Sequence, residues 1–168
     1  MINEKLQDAL NDQMNFELYS GYIYLSMSAN FEAQNMPGFA SWMFIQWQEE
    51  FAHAMKFFHY IGERGGKVEL RTIRAPDGQW PSALDAFETA LHHERIVTGR
   101  FNDLVALARA ENDQATYNFL QWFIDEQVEE EATADGIVQQ LKMMGDFGPG
   151  LLMIDRELAA RTFTPPAP

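Results

Sequence analysis

A chain of 168 residues fits one domain, long enough to bury a continuous apolar core without covalent staples. It contains no cysteine, which excludes disulfides, thiolate metal sites and cysteine nucleophiles. With 25 acidic against 12 basic residues its formal charge is −13, which argues against nucleic acid as a partner and suits a collector of cations; a merely solvated acidic surface is the plainer alternative.

The chain opens without a basic segment followed by an apolar stretch, and no run approaches the ~18 apolar residues of a membrane span. Cytoplasmic residence, with no membrane partner, is therefore the expectation. The first predicted helix runs from about Glu4 to Gln34 and stops at the turn signal Asn35-Met36-Pro37-Gly38. The second runs from about Gly38 to Arg64 and ends at Gly65-Gly66, where a left-handed C-cap is easily made. Residues 67–82 read as irregular, punctuated by Pro76-Asp77-Gly78 and Pro81. Ser82 then offers an N-cap with Asp85 at the capping-box position, and the third helix continues to about Glu111. Asn112-Asp113 marks the next turn, and a fourth helix spans about Gln114 to Met144. After the breaker at 145–150 comes a short fifth helix, from about Leu151 to Arg161. Residues 162–168, with three prolines, are expected to be an extended or flexible tail on a single domain covering 1–168.

The loop at 67–82 carries topological information. A helix of about 27 residues is ~40 Å long, while a segment of about sixteen extended residues reaches ~55 Å. The connection can thus run the length of a bundle and return the chain to the opposite end. Two short-loop hairpins joined by one long crossover make an all-α, ferritin-like four-helix bundle with a short fifth C-terminal helix; an ordinary surface loop is the alternative.

Each long helix can be read along alternating three- and four-residue steps, the spacing that faces a neighbour. The first gives Leu10, Met14, Glu17, Gly21, Tyr24, Ser28, Phe31, and the second Phe39, Met43, Gln46, Glu50, His53, Phe57, Tyr60. The third gives Leu84, Phe87, Leu91, Glu94, Thr98, Phe101, Val105, Ala108, and the fourth Leu120, Phe123, Gln127, Glu130, Ala134, Ile137, Leu141. Every apolar stripe is interrupted near its middle by a carboxylate, so the interruptions form one polar layer whichever way the helices run. Burying an ionised carboxylate costs several kcal/mol unless something compensates. No Lys or Arg lies on these seams, and Arg95 points off the register of Glu94. A pair of divalent metal ions is the simplest compensation. Carboxylates with one imidazole suit Fe or Mn, with Zn as an opportunist, whereas a structural zinc site would use sulfur or several histidines.

With these residues in hand, the chain resembles the ferritins, in particular the haem-free prokaryotic branch, over essentially its whole length. The motifs are Glu17 within Asn15-Phe16-Glu17-Leu18-Tyr19-Ser20, the run Glu49-Glu50-Phe51-Ala52-His53, Glu94, and Phe119-Leu120-Gln121-Trp122-Phe123 leading to Glu126-Gln127-Val128-Glu129-Glu130. The resemblance implies one iron site at Glu17, Glu50 and His53, and a second that shares Glu50 as bridge and adds Glu94 and Glu130. Gln127 would hydrogen-bond a metal-bound water or oxygen species. Glu49, Glu126 and Glu129 match a third iron site of that branch, with partly solvated glutamates as the alternative. Tyr24 looks like the tyrosine that ferritins keep beside the centre, either as electron donor or as a phenol hydrogen-bonded to Glu94. Two departures from bacterioferritins argue against haem: Gln127-Val128-Glu129-Glu130 stands where they carry a second Glu-x-x-His, and Phe51 where they carry the haem-binding methionine. Rubrerythrins add a cysteine-rich iron domain that is missing here. His59, His92, His93, Met27 and Trp122 are read as surface or packing residues.

The function so implied is iron storage and detoxification: a ferroxidase taking two Fe(II) and O2 or H2O2, and a homo-oligomer of twenty-four subunits enclosing a ferric mineral. A di-iron oxidase or oxygenase, a peroxide scavenger without storage, and a mineral-nucleating shell subunit without an oxidation centre are the competing readings.

Overall fold

The computed structural model describes residues 2–145 and 148–165. Five helices follow in chain order: α1 (Glu4–Ala33), α2 (Pro37–Glu63), α3 (Ala83–Ala110), α4 (Gln114–Met144) and α5 (Gly148–Leu158). No strand occurs among the described residues, and no helix of them is long and apolar enough to cross a membrane.

Local chemistry explains the boundaries. Asn3 caps α1 by accepting from Leu6 N at 2.8 Å, and Ser82 caps α3 by accepting from Asp85 N at 3.1 Å. The Asp85 carboxylate answers the Ser82 hydroxyl at 2.6 Å, a short-armed version of the expected capping box. Gly65 takes the left-handed conformation after α2 with φ +71°, as its position after the last apolar residue predicts. Asp113 caps α4 through Thr116 N, and the Arg64 guanidinium binds both Asp113 oxygens, at 3.1 and 2.8 Å. That fork locks the end of α2 to the start of α4.

α5 corrects the expected range. It begins at Gly148 rather than Leu151, because Pro149 lies in the first turn, where a missing N–H breaks no helical bond. It ends at Leu158, with Ala159 and Ala160 in a turn. Of the expected breaker at 145–150, Asp146 and Phe147 lie outside the described residues. The tail carries no helix from Thr162 to Pro165, and its last three positions lie outside the described residues. The N-cap of α2, Met36, offers no side-chain cap of its own. Asp155 of α5 supplies one, accepting from Gly38 N at 2.8 Å and Phe39 N at 3.0 Å. The approach is so close that a Cβ on Gly38 would fall 1.6 Å from the Asp155 carbonyl oxygen.

α1 packs mainly on α2 and α3 mainly on α4, as two hairpins. The crossover between them lies along α1, held by two buried asparagines one turn apart. Asn11 donates to Lys67 O (2.9 Å) and accepts from Glu69 N (2.8 Å); Asn15 donates to Glu69 O (2.8 Å) and accepts from Arg71 N (2.7 Å). Extended backbone is thereby satisfied by side chains as it would be by a neighbouring strand.

The apolar interior falls into two clusters. One end of the bundle packs Leu6, Leu10, Met14, Phe57, Ile61, Phe101 and Phe123. The other packs Met27, Phe31, Phe39, Met43, Phe87, Ile137 and Leu141, together with Ile154 and Leu158 of α5. On all four long helices buried polar residues, among them Glu17, Gln46, Glu50, His53, Glu94, Gln127 and Glu130, lie between these clusters in sequence.

Candidate metal centre

Of the four seams, only Tyr60, Leu84, Thr98 and Val105 are less than fully buried, so the helices face inward in the expected register. The carboxylates go inward with them. Glu17 is 0% exposed, Glu94 1%, Glu50 2% and Glu130 8%, all with apolar residues above and below.

Glu17, Glu50 and His53 form one compact group, with a ligand atom from each lying within 4.8 Å of the others. Two carboxylate oxygens in it, Glu17 Oε2 and Glu50 Oε2, are buried with no hydrogen-bond partner. Buried polar atoms seldom go unsatisfied, and an ionised oxygen least of all. The carboxylate and imidazole donors fit Fe(II) or Mn(II), and orphaned oxygens flanking an imidazole are what such an ion would satisfy.

Glu94 and Glu130 bound the other side of the layer and are held by neutral donors. The Tyr24 hydroxyl donates to Glu94 Oε1, and Gln127 Nε2 donates to Glu94 Oε2 at 3.1 Å and to its carbonyl at 3.2 Å. Gln46 Nε2 donates to Glu130 Oε2 at 2.9 Å. Tyr24 thus makes the hydrogen bond to Glu94 named among its expected roles. Gln127 orients that same carboxylate. On the Glu17 side, Gln13 Nε2 donates to Oε1 at 2.6 Å, while Arg100 Nε holds Gln13 Oε1 at 2.8 Å.

Crowding acid groups in a dry layer makes them hold protons. Burial, then the charge of Glu50, pushes Glu17 well above the usual carboxylate range. Burial, then Glu94, does the same to Glu50. Glu94 is pushed up to about 8 by burial and by Glu130. The Tyr24 phenol is raised likewise, by burial and by Glu94.

The three residues expected at a third site are less enclosed. Glu49 and Glu126 are half-buried and Glu129 is exposed. Glu49 is raised to about 7 by burial, an effect moderated by Arg161, whose Nη2 donates to Glu49 Oε2 at 2.6 Å. His93 is packing, as expected: its ring stacks on Phe16 at 5.4 Å and its Nε2 lies 2.7 Å from Ser20 Oγ. His59 and His92 are exposed, Met27 is core, and Trp122 packs edge-on against His53 at 5.4 Å. The sequence reading missed Gln13, Arg161 and the role of Gln46. Gln46 alone left a trace, as a polar residue on an otherwise apolar seam.

Known proteins match this chain over nearly its whole length. The family model for the ferritin-like domain matches residues 7–144. A bacterial non-heme ferritin of Bacteroides fragilis (strain 638R) is 46% identical over 161 residues, 96% of this chain and 100% of that protein. Another, of Staphylococcus aureus (strain USA300), is 40% identical over 163 residues, 97% of this chain and 98% of that protein. Among solved structures, an open-pore ferritin from the hyperthermophilic archaeon Archaeoglobus fulgidus superposes with a TM-score of 0.96 at 49% identity, covering 96% of this chain and 100% of that one.

Proposed function

The chain belongs to the ferritin family, and on that premise we propose that it stores and detoxifies iron, oxidising Fe(II) at a carboxylate-bridged two-iron centre and passing the ferric product to a mineral inside a cage of its own copies. The observation that carries this reading is the pair of orphaned buried oxygens on Glu17 and Glu50, beside His53. Metal-free, the layer is a cost to the fold; cations turn it into a gain.

In this reading Glu17, Glu50 and His53 hold one ferrous ion, and Glu50, Glu94 and Glu130 the second. Each ion gives up one electron to a shared two-electron oxidant, dioxygen leaving as peroxide or peroxide as water. Carboxylate oxygens favour the harder, more highly charged Fe(III), so the ligand set itself draws the reaction forward. The raised carboxyl pKa values mean that ions enter as protons leave, which makes uptake strengthen as pH rises. Gln13 keeps Glu17 turned inward, and Tyr24 with Gln127 does so for Glu94. A closed cage of twenty-four subunits is the assembly the family implies. With −13 on each chain it would attract incoming Fe(II) strongly.

Stopped-flow oxidation at two Fe(II) per chain tests the centre. A fast phase is expected in the parent and absent in Glu50→Ala, which removes the shared ligand. Oxidation by that variant as rapid as the parent's would make the catalytic assignment wrong, and a parent without a fast phase would leave only a mineral-nucleating shell. Iron loading per assembled particle separates storage from peroxide scavenging.

A further inference from the structure

Arg161 is a cation beside the layer that the proposed chemistry does not use. Arg161 follows α5 and reaches back onto α2, where Trp42, Gln46 and Glu49 share a face through steps of four and three residues. Its guanidinium lies over the Trp42 ring at 4.7 Å from the centroid, donates from Nη1 to Gln46 Oε1, and donates from Nη2 to Glu49 Oε2 at 2.6 Å. The ion pair is largely shielded, with side chains 24% and 20% exposed. Because Gln46 Oε1 is taken by Arg161, its amide nitrogen is turned toward Glu130 Oε2, 2.9 Å away. A chain of contacts thus runs from the segment after α5 to the carboxylate layer.

We propose that Arg161 is a positioning residue of the metal centre: its guanidinium orients Glu130 through Gln46 and occupies the place beside Glu49 that a further cation would otherwise take. The inference rests on the two-iron reading and deepens it. A third ion at Glu49 must displace a tethered competitor, and displacement frees residues 159–165 from α2. The two effects divide by chemistry. Excluding a cation from Glu49 needs only positive charge, whereas fixing Gln46 needs the second N–H of a planar fork.

Anomalous diffraction and calorimetric titration with Zn(II), which does not turn over, test the inference on the assembled parent, Arg161→Gln, Arg161→Lys and the double variant Arg161→Gln/Glu49→Gln. The parent is expected to take two ions in the layer. Arg161→Gln is expected to gain an ion at Glu49 at about tenfold lower free Zn(II) than the parent requires, and to hold the ion next to Glu130 several-fold more weakly. Arg161→Lys keeps the Glu49 position closed but does not recover the affinity at Glu130; the double variant returns to two ions. Equal ion number and affinity in the parent and Arg161→Gln overturns the inference alone. A parent that takes no ion in the layer overturns the proposed function and this inference with it. Glu49→Gln reads the pair from its other end: amide exchange at residues 159–161, whose N–H groups are hydrogen-bonded, should rise several-fold, and unchanged exchange refutes the tether.

Discussion

Glu17→Gln should make the metal-free protein more stable while removing a ligand. The replacement is nearly isosteric. Its amide oxygen can accept from Gln13 Nε2, now 2.6 Å from Glu17 Oε1, and its NH2 takes the place of the orphaned Oε2. What disappears is a charge: ionised Glu17 and Glu50 have oxygens no more than 4.8 Å apart, a repulsion of about 3 kcal/mol at an effective dielectric constant near 20. The pH dependence fixes the sign. A carboxyl whose pKa is higher in the folded than the unfolded chain holds its proton better when folded. Its contribution is whole below the unfolded value of 4.5 and drains away as pH rises through the folded value, about 8 for Glu94 and likewise upward for Glu17 and Glu50. The chelated parent should therefore lose stability progressively from pH 4.5 to about 8. His93, lowered from 6.5 to about 4 by burial and by His92, works in the opposite direction but only below pH 6.5. Thermal unfolding in chelator at fixed protein concentration should place Glu17→Gln about 5–10 °C above the parent at pH 8.5, with little difference at about pH 4.5. Added Zn(II) should reverse that order. A chelated variant no more stable than the parent at pH 8.5, or stabilised equally at both pH values, would refute the idea that repulsion strains the layer.

Other expectations follow from single contacts. Gly38→Ala drives a methyl into the Asp155 carbonyl, so α5 should leave its seat on α2; proteolysis between residues 145 and 160 should accelerate markedly while α1–α4 stay intact. Tyr24→Phe removes a donor from Glu94 and should weaken metal binding several-fold, with the fast oxidation phase slowed but present. A tyrosyl radical in the parent, seen by electron paramagnetic resonance during that phase and lost in Tyr24→Phe, would instead give the phenol a redox role.

The buried carboxylates were legible in the sequence because a carboxylate on an apolar seam is energetically conspicuous. Glu17, Glu50, Glu94 and Glu130 each interrupt a largely apolar stripe, and a three- or four-residue step fixes which way they face. The limits of α1 to α4 were legible too, since Asn35, Gly65, Ser82 and Asn112-Asp113 sit where caps and left-handed residues are needed. α5 was displaced by three residues because Pro149 reads as a breaker from sequence but is harmless in a first turn. Asn11, Asn15, Gln13 and Arg161 left no signal. None of them lies on an apolar seam, and each role depends on backbone or carboxylates brought to it from 54 to 112 positions away, or, for Gln13, on the buried carboxylate of Glu17 one turn along. Periodicity reports which face a residue is on, not what will arrive there.

The division of the interior by its polar floor has a mechanical consequence. Met43 and Phe57 are both 0% exposed, yet they belong to separate oily rooms with a hydrophilic slab between them. A void opened in one room cannot be filled by drift from the other, so truncations on either side should sum in their cost, as distant independent sites do. Natural drift can then refurnish each room separately, without shifting the partition on which the chemistry stands.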